Sequence, residues 1–176
     1  MTARGRERLG SVRVWSVAMR LLHWALAALV LADLVRDEGD YSHRLVGYAA
    51  VVVVLVRLGW AVASGGLAEL RPSVSTTLVY MRLLVRGRPP RSLGHDPLGL
   101  WMVWLIWTLV VLLGLSGWMT RLDAFWGDMR VQAVHSVLAD ILAVCVVCHL
   151  VAVVVMSWLW KENLPASMVT GRKREL

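Results

Sequence analysis

The chain offers five histidines as its most reactive polar side chains, and two of them, His135 and His149, share one apolar stretch that runs from Val131 to Trp160. On a helix their separation of fourteen residues puts the two rings about 21 Å apart along the axis. Fourteen steps of about 100° fall only about 40° short of four full turns, so both imidazoles leave nearly the same face. Polar groups in hydrocarbon are costly and usually mark function. Two rings on one face therefore ask for two partners at matching depths.

The elements that must supply those partners follow from composition. The 176 residues are 58% hydrophobic with a mean hydropathy of +0.62 and contain ten Trp against one Phe, the profile of an integral membrane protein. Four apolar runs, about 15–35, 43–63, 97–119 and 131–160, are each long enough to cross a bilayer as a helix. The expected fold is all-α: a four-helix transmembrane bundle forming a single domain over 1–176. No small-residue cleavage site follows the first run, which reads as a retained helix. Between the second and third runs, Val74, Leu78, Met81, Leu84 and Val85 recur at helical spacing among arginines. They predict a short amphipathic helix at the membrane interface, over Ser73 to Arg86. The segment Met1 to Arg20 reads as basic and irregular, and Lys161 to Leu176 as a polar tail.

Charge orients the bundle. Five basic residues (Arg4, Arg6, Arg8, Arg13, Arg20) precede or open the first run, five more (Arg71, Arg82, Arg86, Arg88, Arg91) lie between the second and third, and four (Lys161, Arg172, Lys173, Arg174) follow the last. The other two connections are flanked by two each, Arg36 with Arg44 and Arg121 with Arg130, and are richer in acid. By the positive-inside rule both termini are expected in the cytoplasm. The net charge of +7 is thus mostly a topology signal, and no nucleic-acid partner is needed to explain it.

His23 lies early in the first run, near the cytoplasmic end, and His43 opens the second on the outer side. This places His23 level with His149 and His43 level with His135. Two imidazoles facing one another inside a helical bundle commonly hold a haem iron, one ring in each axial position. Such an iron has no open site, so it passes electrons. Two levels of histidine do not converge on one point, which disfavours a zinc site.

Other polar residues carry weaker signals. Arg57, towards the cytoplasmic end of the second run, is suited to a haem propionate or to the lipid headgroups. Asp140, five residues beyond His135, is placed to orient a ring or a water. His95 precedes the third run, with Asp96 as N-cap and Pro97 at the first helical position, and reads as a capping or interfacial residue. Gly47, Gly59, Gly114 and Gly117 would permit a close approach; Trp101, Trp104, Trp107 and Trp118 are assigned mainly to the lipid interface. Cys145-Val146-Val147-Cys148-His149 spells a c-type haem attachment motif. Its position deep in a span argues against covalent attachment, and the cysteines read as small core residues.

Taken together, Arg20-Leu21-Leu22-His23-Trp24, Ser42 to Tyr48, Gly94 to Gly99, the two histidines of the fourth run, and the tail residues Trp160 to Leu164 and Met168 to Arg172 resemble the prokaryotic cytochrome b561 family. Within that family the likeness is to Ni,Fe-hydrogenase-type cytochrome b subunits. The resemblance covers essentially the whole chain. It implies two non-covalent haem b groups, with His23 and His149 on the cytoplasmic-side iron and His43 and His135 on the periplasmic-side iron. It also implies a multi-pass protein of the bacterial inner membrane that exchanges electrons with respiratory-chain quinone. The expected partners are membrane lipid and a redox protein, either a periplasmic cytochrome c or a hydrogenase-type oxidoreductase subunit, together with a second copy of the chain in a homodimer. Quinone would sit near the cytoplasmic-side haem, by His95 and Asp96, although the family pattern there is His-Asn-Pro and this chain has His-Asp-Pro.

The function expected from these readings is transmembrane electron transfer between a periplasmic partner or small donor and the quinone pool. The chain has no catalytic nucleophile, flavin fingerprint or iron-sulfur cysteine set. A stand-alone superoxide/quinone oxidoreductase is the nearest alternative. A small proton or metal transporter without haem, and a structural anchor that binds haem only to fold, are the others.

Overall fold

A computed structural model describes residues 10–35 and 39–175. Arg4, Arg6, Arg8 and Arg36, counted above for charge, lie outside the described residues. Four long helices, α1 (Val17–Leu34), α2 (Tyr41–Ala63), α4 (Pro97–Met119) and α5 (Met129–Leu159), are long and apolar enough to cross a membrane. The short α3 (Val74–Val85) stands between α2 and α4. Each helix begins and ends within about two residues of the expected span.

Side chains at the boundaries explain these limits. Ser16, Asp40, Ser73, Asp96 and Asp128 each accept a hydrogen bond from the first turn of the helix they precede, satisfying one of the amides that a helix start leaves unpaired. Asp96 with Pro97 at the first helical position starts α4 as expected. On the long helices, Leu21, Val52, Leu105, Val144 and Val151 are exposed. Helices that stay apolar on their outer faces are stable only against lipid.

The close helix pairs are α1 with α2, α2 with α4, and α4 with α5. Val30, Ala50, Val54, Leu109, Val110, Leu142 and Cys145 form a buried apolar layer across all four. Since Leu142 and Cys145 lie between His135 and His149 on α5, this layer separates the two histidine levels. A second cluster of Tyr80, Met156 and Trp160 docks α3 on the inner ends of α4 and α5, with Leu84 and Leu98 against it. Trp101 Nε1 donates to Thr77 Oγ1 at 3.1 Å, and Trp104 Nε1 to the Leu70 carbonyl at 2.6 Å. These tryptophans therefore tie the α2–α4 connection down instead of serving only as lipid-facing rings.

Both ends of the chain differ from expectation. The tail forms α6 (Leu164–Thr170) and a strand β2 (Arg172–Arg174), which pairs antiparallel with β1 (Ser11–Arg13). Within the segment read as irregular, residues 11–13 thus form a strand, and the polar tail carries a helix and a strand. Glu162, 9% exposed, gathers the tail: both its oxygens take Arg91 nitrogens at 3.0 to 3.1 Å, and Oε1 takes the Arg174 amide at 2.8 Å. Burial alone would push that carboxyl up, but the Arg174 amide and Arg91 outweigh it and hold it below its usual value. Gly171 has φ +78°, and a Cβ there would stand 2.8 Å from the Trp15 carbonyl. Its own carbonyl accepts from Val14 and Trp15 at 2.9 and 3.1 Å. Only glycine meets both conditions.

Candidate haem sites

The two histidine levels are present in the fold. His23 of α1 faces His149 of α5 with ring centroids 6.5 Å apart and planes at 52°. His43 of α2 faces His135 of α5 at 6.2 Å and 74°. An iron bound to one nitrogen of each ring at about 2.0 Å would set centroids roughly 6.3 Å apart. Both pairs have that spacing. Among the described residues no three of His, Cys, Asp and Glu converge as a metal cluster would require.

The pair at the end of the bundle away from the β1–β2 ribbon, called outer below only for its place in the fold, is supported from behind. Ser116 Oγ lies 2.8 Å from His135 Nδ1 and donates to the Leu113 carbonyl at 3.2 Å, so it is free to accept an Nδ1 proton. His43 Nδ1 lies 3.0 Å from Asp33 Oδ1. Both contacts lie at Nδ1, which leaves Nε2 of each ring available as the iron ligand. Gly117 sits under the His135 ring, since a Cβ there would come within 3.2 Å of Cε1. In the inner pair, His23 Nδ1 is likewise buried, with no hydrogen-bond partner among the described residues.

A cavity of ≈ 510 Å³ opens at the outer level, within the range of cofactor pockets. It is lined by His43, His135, Gly47, Gly114 and Gly117 and carries Arg44 and Arg121. Asp140 lines it too. Gly114 allows α2 to pack closely, because a Cβ there would meet Val51 Cγ2. Gly59 does not fit the expected pattern: nothing lies within 4 Å of the Cβ it lacks.

A second cavity, of ≈ 320 Å³, lies at the end bearing both termini and is lined by Trp15, Met19, Arg57, Trp60, Glu69 and His95. Arg57 holds its guanidinium 5.8 Å from the centre of the Trp107 ring. His95, read above as a capping or interfacial residue, packs edge-on against Trp15 at 4.9 Å. Its pKa is pushed down to about 4, first by burial and then by the charges of Arg57, Lys173 and His23. At neutral pH it is an uncharged ring with one N–H to donate. Lys173 holds the preceding loop by donating to the Ser92 and Gly94 carbonyls at 3.2 and 3.4 Å. Sequence reasoning missed this lysine, which looked like one more charge in a basic tail. Cys145 is buried and Cys148 exposed on α5, both as free thiols.

Residues 14–171 match the family model described as prokaryotic cytochrome b561. The chain belongs to that family, whose members are haem b membrane proteins of electron transfer. The match covers all four spanning helices and the α6 tail. No curated protein matches the chain in sequence.

Proposed function

We propose that the chain is a di-haem electron-transfer cytochrome, with His23 and His149 holding the inner iron and His43 and His135 the outer one. The observation that carries this reading is the pairing of α5 with both α1 and α2 through rings 6.5 and 6.2 Å apart. Haem b would supply a one-electron couple, held by the two histidines of each pair. The chain's own part is to fix the rings, keep water from the apolar layer and neutralise propionate charge. Arg44 and Arg121, at the mouth of the outer cavity, would receive the outer propionates. Arg57 is in place to receive an inner one.

Counting of basic residues supports placing both termini in the cytoplasm, so the outer level faces the periplasm and its redox partner. The ≈ 320 Å³ cavity then lies on the cytoplasmic side, and we assign it to quinone. Trp15 and Trp60 offer flat apolar walls, and the neutral His95 ring can donate to a quinone oxygen. Asp96 does not reach into this role, because its carboxylate caps α4 through Gly99 N at 2.8 Å.

Anaerobic mixing of the oxidised purified protein with a short-chain quinol tests the assignment. Haem reduction in the wild type, slowed at least tenfold in His95→Phe with unchanged haem content, is the expected result. Haem that no quinol reduces would leave the structural-anchor reading standing.

A further inference from the structure

The two histidine pairs are not equivalent, and the difference lies in one carboxylate. Asp33, near the end of α1, brings Oδ1 to 3.0 Å from His43 Nδ1, with both side chains about three-quarters buried (22% and 24% exposed). The approach depends on Gly47, one turn along α2 from His43: a Cβ at that position would stand 3.2 Å from Asp33 Oδ2. Any larger residue there would push the carboxylate back. The opposite ring, His135, has a hydroxyl behind it in Ser116. At the inner level neither His23 nor His149 has a carboxylate paired with it among the described residues.

A carboxylate held 3.0 Å from Nδ1 favours positive charge on the imidazole and makes it a more basic ligand. It also adds a negative charge close to the iron in a medium that screens weakly. Both effects favour the ferric over the ferrous state. We infer that Asp33, seated by Gly47, is a positioning residue that lowers the reduction potential of the outer haem relative to the inner one. This rests on the di-haem reading above. Each reduction would be the gain of one electron, Fe(III) to Fe(II), supplied by the reductant of the titration, with no bond made or broken. Arg44 and Arg121 line the same cavity, and their charge acts in the opposite sense. Replacing Asp33 alone isolates the carboxylate.

The experiment is a potentiometric titration of the detergent-purified full chain at one fixed pH, with visible spectra and low-temperature EPR of the ferric haems. The wild type is expected to show two midpoints, the lower belonging to the haem missing from a His43→Ala chain. Asp33→Asn is expected to raise that midpoint by about tenfold in the reduction equilibrium, which is 59 mV for one electron. It also moves the EPR signal of that haem alone. Asp33→Glu restores part of the shift, and Gly47→Ala, which keeps the charge but displaces it, raises the midpoint by less. Two haems whose midpoints do not move in Asp33→Asn overturn the inference and leave the di-haem reading intact; a wild type that holds no haem pair defeats that reading itself. If Asp33→Asn loads only one haem, Gly47→Ala decides: a raised midpoint supports the role and an unmoved one overturns it.

Discussion

The four histidines stand in two pairs, and on the di-haem proposal removing one should cost one haem and spare the other. His149→Ala or His23→Ala is expected to reduce haem from two per chain to one, as is His135→Ala or His43→Ala; a pyridine haemochrome assay against protein concentration reads it. Loss of both haems from every variant would show one cooperative site in place of two levels. His95 makes a prediction about pH. Its folded value of about 4 lies below the unfolded value of 6.5, so the unfolded chain binds a proton first as pH falls. Its contribution is present above about 6.5 and is lost progressively towards 4. The melting temperature in detergent should fall across that window more steeply in the wild type than in His95→Gln. Parallel profiles would place the ring in contact with water. The four histidines were legible in the sequence because helical period and depth constrain them strongly. The roles of Asp33, Ser116 and Lys173 were not, since each depends on a neighbour from a distant element.

At the scale of elements, the spanning helices were legible because long apolar runs and their Asp, Ser and Pro boundary residues are local signals. The β1–β2 ribbon was not. Three residues on each side pair across some 160 positions, and nothing in a run such as Arg172-Lys173-Arg174 announces a partner. Two substitutions test whether that ribbon matters. Gly171→Ala forces a left-handed backbone on a residue with a Cβ, at about 1–2 kcal/mol, and drives that Cβ against the Trp15 carbonyl. Glu162→Gln removes the charge from a buried pair with Arg91, for which about 3 kcal/mol is typical. Both should lower the melting temperature by several degrees and loosen the Ser92–His95 loop, so that quinol reduction slows while haem content holds. Unchanged melting would make the ribbon a decoration of the terminus.

For the whole molecule, the apolar layer from Val30 to Cys145 divides the bundle into two polar levels, each opening towards its own end. That division, with both termini at one end, gives the molecule its direction across a membrane. Single cysteines introduced at Asp123 and Arg172 in a Cys145→Ser, Cys148→Ser background should label from opposite sides with an impermeant maleimide, Arg172→Cys only after the cytoplasmic face is opened. Labelling of both from the same side would contradict the four-span topology. The most direct measurement is the haem itself: a dithionite-reduced minus oxidised spectrum of the purified protein, with pyridine haemochrome stoichiometry. Two haem b per chain, both reducible and neither covalently held, is the predicted result. One haem per chain, or a c-type spectrum from the Cys145 to His149 segment, would contradict it.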